Sequence, residues 1–376
     1  MKKVILLRSN QIIGDSRVEK YLSFFKEKSI NYHVYGWDRD GYGAQSENTF
    51  FFKKKVGYMV GGIKAAFYRL YWFAYIIRSL RSEKNKPEFI HACDLDTAFP
   101  AALYKSLFNK RCFLLFDAFD WVSADGAVNN SPMMKIPIRL MEKFALKHTN
   151  KLLICEEERK AQIPYCDKYD YDVLPNIPMI SNDDSRIYSI DYNCRFNNDK
   201  ITFSYVGYFG ASRFLDELLK LAEENVINLL MAGAGNKELE EKCHKLENRN
   251  NFKYFGRVPY PRSLNIMYNS DIIYAMYCKV VNNHYYAAPN KFYEPMALGK
   301  PLLTTKGIII GDKVEKLGFG YTIEEDYDKL VNLTKSLSRE ELIEKGKIAR
   351  NLWDKTYATY TRDFLENTYL PMLKDE

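Results

Sequence analysis

The feature that most constrains this chain is an alternation of strand-like and helix-like segments that runs its course twice. In the first run, residues 4–7 are a short apolar strand pattern. A polar loop containing Gly14 follows, and Ser16-Arg17-Val18-Glu19-Lys20-Tyr21-Leu22 opens a helix. Further strands are expected at residues 32–35, Phe89–Cys93, 113–116 and 152–155, and residues 173–178 close the run. Residues 181–200 are polar and aperiodic and read as a connection. The second run then places strands at 201–206, 228–231, 252–255 and 272–276. Helices between them are expected at 214–224, Lys237–Leu246 and 263–268. Strands joined through helices form parallel sheets covered on both faces. Two runs therefore predict an α/β protein of two doubly wound, Rossmann-like domains facing a cleft. The expected domains are residues 1–180 and 181–355, with a C-terminal helix of about 356–376 packing back on the first.

Composition narrows the function classes. The chain has 376 residues, 47% hydrophobic and 27% charged, which is a globular composition large enough for two domains. A net charge of +7 suits an anionic ligand or an anionic membrane surface. No dense basic block or binding motif points to nucleic acid. Seven cysteines without a CxxC pair read as reduced, buried thiols in a cytosolic protein. Five scattered histidines lack metal-ligand spacing. The N-terminal apolar run stops at Arg8, too early for a signal peptide, and no segment is apolar enough to span a membrane. Residues 58–81 are aromatic and aliphatic, with Lys64, Arg69, Arg78 and Arg81 spaced through them. They suit an amphipathic helix, either packed in the ordinary way or lying on an anionic membrane.

The most specific local signal is Pro289-Asn290-Lys291-Phe292-Tyr293-Glu294-Pro295-Met296-Ala297-Leu298-Gly299-Lys300-Pro301. Pro289 and Asn290 supply a stop and a cap, apolar residues recur at helical spacing, and Gly299 ends the helix. A helix that begins after a strand of such a sheet points its N-terminus at the ligand crevice. Glu294, a lone carboxylate there, can accept hydrogen bonds from a sugar diol; an ordinary solvated Glu is the bland alternative.

This string resembles the nucleotide-sugar-binding segment of the family-4 retaining glycosyltransferases of GT-B fold, in a bacterial surface-polysaccharide branch. Three other places strengthen the resemblance: Asp15–Lys20 with Gly36-Trp37-Asp38-Arg39, His91-Ala92-Cys93-Asp94-Leu95-Asp96, and Val206-Gly207 through Arg213. The resemblance implies sugar transfer from a nucleotide-diphosphate donor to a glycan or polyprenyl-linked acceptor, with retention and with no cofactor or metal. It implies a cytoplasmic protein, peripheral on the inner membrane face through 58–81. Arg213 would face the diphosphate beside a Gly207–Gly210 loop, with help from Asn290 and Lys291 at the helix start. Glu294 would hold the ribose, and Arg257 and Val258 the base edge. Gly14, Asp15, Arg17 and Asp94 would lie on the acceptor side.

The chain also departs from the family pattern. Tyr286 stands where the family often has the first of two carboxylates, Tyr208 where it has an Arg, and Phe119 where it has a His. Asp120 is the nearest polar residue to replace that His, with Asp117 second. His91 ends a strand pattern and reads either as a core histidine or as a polar contact in the cleft, so it stands with Asp120 as a catalytic candidate. Asp94-Leu95-Asp96 spells the metal motif of another glycosyltransferase fold but lies in the wrong domain for it. Two rival functions remain at this level: a catalytically silent partner subunit, and a sugar-nucleotide epimerase of the same architecture.

Overall fold

The computed structural model describes residues 1–10, 12, 15–39, 41, 46–54, 62–181 and 183–374. Gly14 lies outside the described residues, as do residues 58–61 of the basic aromatic stretch. The chain divides into two compact units, Met1–Pro175 with Thr361–Glu376, and Asn176–Tyr360.

The first unit is built on β1 (Val4–Arg8), β2 (Tyr32–Trp37), β3 (Thr49–Phe52), β4 (Phe89–Cys93), β5 (Phe113–Ala118), β6 (Lys151–Ile154) and β7 (Tyr171–Val173). They pair in parallel in the order β3-β2-β1-β4-β5-β6-β7. Its helices are α1 (Ser16–Glu27), α2 (Gly62–Ser82), α3 (Leu95–Phe108), α4 (Gly126–Asn129) and α5 (Pro132–His148). Right-handed crossovers place α1 on one face of the sheet and α2, α3 and α5 on the other. α3 packs between α2 and α5. Ile5, Leu7, Ile90 and Ala92 face that layer and meet Trp72, Ile76, Ala98 and Ala101 in the core. The opposite face is closed by α1 and by residues 361–374. Tyr369 is fully buried there, with ring centroids 5.3 Å from Tyr21, 5.8 Å from Phe25 and 5.6 Å from His91. The Lys2 N–H donates to the Leu373 carbonyl at 2.8 Å.

The second unit is built on β8 (Thr202–Phe209), β9 (Asn228–Gly235), β10 (Phe252–Tyr254), β11 (Ile272–Ala275), β12 (Leu302–Thr305) and β13 (Gly320–Ile323), parallel and ordered β10-β9-β8-β11-β12-β13. Its helices are α6 (Leu215–Glu223), α7 (Lys237–Leu246), α8 (Tyr260–Tyr268), α9 (Asn290–Leu298), α10 (Ile309–Leu317), α11 (Tyr327–Ser336) and α12 (Arg339–Leu352). Residues 181–200 contribute Ile187 and Cys194 to one of its two cores. β8 runs further than the sequence pattern indicates. Gly207 was expected in a turn but pairs with Gly233 inside the sheet, and pairing continues to Phe209 with Gly235. The reason is the Gly-Ala-Gly end of β9. Gly233 has φ +136°, and a Cβ there would stand 1.8 Å from the Gly207 carbonyl oxygen, so glycine lets the two strands stay in register.

Candidate functional site

In the second unit the strand order reverses between β8 and β11. Ligands of open parallel sheets sit at the carboxyl ends of the strands flanking such a point. After β8, Gly210 begins a tight turn, Ala211–Arg213, whose Arg213 N–H donates to the Gly210 carbonyl at 3.0 Å. The Cys278 N–H donates to the Ser212 carbonyl at 3.0 Å, which ties this turn to the loop after β11. The Arg213 guanidinium lies 4.2 Å above the Tyr277 ring. Its Nη1 is buried and has no hydrogen-bond partner among the described residues. A buried cationic N–H left unmatched is costly, and an anion is its chemical complement.

Tyr277 is pinned by a bond from its backbone N–H to Thr305 Oγ1 at 2.8 Å. Burial pushes its phenol up to about 12; Arg213 opposes that shift and Glu294 adds to it, so both charges reach this ring. His284 meets the Tyr277 ring edge-on at 5.6 Å and donates from Nδ1 to the Cys278 carbonyl at 2.9 Å. Burial first, and then the Arg213 charge, hold this imidazole below its ordinary pKa.

α9 forms where the sequence places it. Pro289 is the capping residue, Asn290 the first helical one, and Gly299 ends the helix at φ +64°. Glu294 is only 1% exposed. Its Oε1 accepts from the Tyr260 hydroxyl at 2.9 Å and its Oε2 from Lys291 Nζ at 2.5 Å. Burial of its hydroxyl end and the Glu294 charge push the Tyr260 phenol well up, so it stays a donor. Each carboxylate oxygen keeps further acceptor capacity. Arg257 is exposed and Val258 half-buried in the loop between β10 and α8. Tyr286 is half-buried at the end of the turn Asn282–Tyr286, and its ring meets Tyr285 edge-on at 4.9 Å.

In the first unit the order reverses between β1 and β4. Arg8, at the end of β1, pairs with Asp15 Oδ2 at 2.7 Å and with Asp94. Asp94 follows β4 with φ +67°, a costly conformation for a residue with a Cβ. Its carboxylate accepts from the backbone N–H of Phe119 at 2.9 Å and of Asp120 at 3.4 Å. Burial pushes its carboxyl up to about 6, against the pull of Arg8. Phe119 is held between two guanidiniums, 4.3 Å from Arg8 and 5.0 Å from Arg17. Asp96 accepts from Ser9 Oγ at 2.8 Å and lies 3.8 Å from Arg39.

Several residues expected at the acceptor edge do other work. Arg17 is 3% exposed and lies in the core. Its Nε is 3.1 and 3.0 Å from the two oxygens of Asp117, and its Nη1 donates to the Leu174 carbonyl at 2.6 Å. His91 is fully buried, with Nδ1 3.0 Å from the Tyr369 hydroxyl and Nε2 3.4 Å from Asp117. It is the core histidine of the two readings, because its side of β4 faces α1 and residues 361–374. His91, Cys93 and Asp117 bring ligand atoms within 4.8 Å of one another, but Arg17 already holds both oxygens of Asp117. Asp117, the second candidate for the missing His, is fully buried too. Asp15 caps α1, accepting from the N–H groups of Arg17 and Val18 at 3.2 Å each. Asp120 differs from these. Its side chain is 64% exposed in the loop after β5, and Arg159 Nη1 lies 3.0 Å away.

Sequence reading missed Tyr260, Tyr277 and His284 in the second unit and Arg8 in the first. Only Arg8 carried a signal, as the cation that ends an apolar strand.

Comparison with known proteins adds three findings. Residues 192–352 match the family described as glycosyl transferases group 1. No curated protein is significantly similar in sequence. Solved structures of similar fold include sucrose-phosphate synthase (tll1590) from Thermosynechococcus elongatus, at 13% identity and a TM-score of 0.71, covering 99% of each chain. Anabaena Alr3699/HepE, solved in complex with UDP and glucose, is 12% identical with a TM-score of 0.68, covering 98% of this chain and 100% of its own. WaaG, a glycosyltransferase involved in lipopolysaccharide biosynthesis, is 16% identical with a TM-score of 0.66, covering 99% of this chain and 100% of its own. The two parallel-sheet units and these similar structures give the chain the GT-B fold, and within it residues 192–352 match the group 1 glycosyl transferases.

Proposed function

We propose that the protein transfers a sugar from a nucleoside-diphosphate sugar to a glycan or lipid-linked acceptor, with retention and without a metal ion, in surface polysaccharide or glycoconjugate assembly. The observation that carries this reading is Arg213, a half-buried residue whose buried Nη1 has no hydrogen-bond partner among the described residues, at the point where the sheet order reverses. The leaving diphosphate gains negative charge in the transition state. A fixed cation and a helix N-terminus lower that barrier. Arg213 and the Gly210 amide serve the phosphates, and α9 with Lys291 adds positive potential. Glu294 takes the ribose hydroxyls on its remaining lone pairs, while Tyr260 anchors it. Backbone groups at Arg257 and Val258 meet the base, and Tyr286 lies toward the donor sugar. On the first unit, Asp94 serves the acceptor and Asp120 is the polar group for the transfer step. The protein works in the cytoplasm, at the inner face of the membrane.

The test is a binding measurement on single variants. Charge-assisted bonds of this kind contribute roughly 1.5–3 kcal/mol each. Glu294→Ala should weaken nucleoside-diphosphate binding by about ten- to a hundredfold. Arg213→Ala should do the same for the diphosphate and far less for the nucleoside. If both variants bind the diphosphate as the parent does, the donor site lies elsewhere and the reading fails.

A further inference from the structure

The loop after β11 holds an ionisable group that the proposed reaction leaves unused. His284 is half-buried in the turn Asn282–Tyr286 and packs on the same Tyr277 ring that Arg213 covers. Cys278 ties both sides of this cluster together. Its N–H donates to the Ser212 carbonyl, next to Arg213, and its own carbonyl accepts from His284 Nδ1 at 2.9 Å. A carbonyl can only accept, so Nδ1 carries the ring hydrogen and Nε2 is the bare nitrogen of the neutral imidazole. Nε2 makes no hydrogen bond among the described residues and is not one of their buried, unpartnered atoms, so a proton from solvent can reach it.

The groups around the ring set its charge. Burial and Arg213 disfavour a proton there, while the Cys278 carbonyl and Glu325, just after β13, favour one. Glu325 is itself held, accepting from the Lys279 N–H at 2.6 Å. Tyr277, Tyr285 and Tyr286 bring phenols. α10 packs against the turn and carries Asp312, Lys313, Glu315 and Lys316, which sum to no net charge. An anion bound beside Arg213 reverses the balance, because it cancels the guanidinium charge and adds a negative one near the ring. A nucleoside diphosphate carries more than one negative charge, and of the cations placed at it Lys291 already pairs with Glu294.

We propose that His284 supplies a further positive charge for the donor's diphosphate, taking up a proton from solvent at Nε2 when the nucleotide binds. Nδ1 keeps its bond to the Cys278 carbonyl throughout, so the turn stays in place while the charge changes. Resting on the donor site at Arg213, this role adds a charge that is present only when the diphosphate is. The leaving diphosphate is more negative than the donor ester, so the charged imidazole favours the departing group over the bound substrate. Linkage fixes the sign of the pH dependence. Burial and Arg213 hold the free imidazole below its ordinary 6.5, and the bound anion raises it. Between those two values the complex holds more protons than the free protein, so affinity declines as pH rises across that window and levels off above it.

The experiment is titration calorimetry of the whole protein with uridine, adenosine and guanosine diphosphates, from about pH 5.5 to about pH 8.5, in buffers of different ionisation enthalpy. The proteins are the parent, His284→Asn and Arg213→Ala. Asn keeps a donor near the Nδ1 position and cannot be charged. The ligand's own terminal phosphate titrates at about pH 6, but it does so alike for every protein, so the difference from the parent is what is read. The parent is expected to take up as much as one proton more than His284→Asn on binding. It should bind about five- to tenfold more tightly than this variant at the acid end, with the gap closing at the alkaline end. Equal proton uptake would overturn the proposal. A loss of affinity that is the same at every pH would overturn it too, leaving His284 as an anchor for its turn. His284→Gln gives the same comparison should the Asn variant melt lower than the parent. Parent-like binding by Arg213→Ala, or no diphosphate binding by the parent, would overturn the donor site and this role with it. An Arg213-dependent site without a His284-dependent proton would overturn this role alone.

Discussion

Asp117 shows how much a single buried carboxylate organises here. It is fully buried and accepts from Arg17 and from the Tyr21 hydroxyl at 2.9 Å, with His91 3.4 Å away. Burial alone would raise its pKa, but Arg17 and His91 outweigh it and hold the carboxyl well below its ordinary value. A depressed carboxyl stabilises the fold fully above its unfolded pKa, about 3.8, and loses that contribution as pH falls toward the folded value. Asp117→Asn strands Arg17 without its counter-charge and should cost about 3–5 kcal/mol in chemical denaturation. It should also flatten the loss of stability on acidification. Asp120, three residues on and exposed, should behave in the opposite way. Asp120→Asn is expected to lower turnover strongly while donor affinity and stability hold; unchanged turnover would remove it from the proposed mechanism. The sequence ranks Asp120 above Asp117 only by its nearness to Phe119, with nothing local to show that one is buried and the other exposed. What decides between them is Arg17, a hundred positions before Asp117 and on another element. Phe119 was equally opaque, because the guanidiniums that flank it come from β1 and α1.

Elements were more legible than residues, wherever local chemistry sets their ends. α9 is the clearest case: a proline before it, helical spacing within it, and a glycine after it in the left-handed conformation. Gly299→Ala tests that end. Its Cβ would meet Arg350 Cβ at an ordinary 3.5 Å, so the cost is conformational, about 1–2 kcal/mol in thermal or denaturant melting. A parent-like melt would show that the cap contributes little. β8 was misread because a glycine inside a strand looks like its end. Only the glycine across from it on β9 explains why the strand continues. Glu294 was placed correctly on its helix, but its partner Tyr260 begins another helix 34 residues earlier, beyond any local pattern.

At the scale of the whole molecule, the two runs of alternation were legible because each strand–helix pair is a local pattern. The return of the chain to the first unit is carried by residues 361–374, whose contacts span nearly the full length. Removing everything after Tyr360 should therefore damage only one unit. Tyr21, Phe25 and His91 would lose Tyr369, and fully burying an aromatic contributes about 1.5–3 kcal/mol. The truncated protein should show a lowered melting transition for the first unit, and residues 176–360 made alone should fold with their own two cores. Two unchanged transitions in the truncated protein would show that the returning segment adds nothing.

The same returning segment sets an order of events during synthesis. The first unit begins to emerge from the ribosome before the second, yet Tyr21 and His91 cannot close over Tyr369 until residues 361–374 have been made. The nascent amino-terminal sheet thus waits, with the face that carries α1 incompletely covered, through the whole synthesis of residues 176–360. That interval is when a chaperone has most to hold.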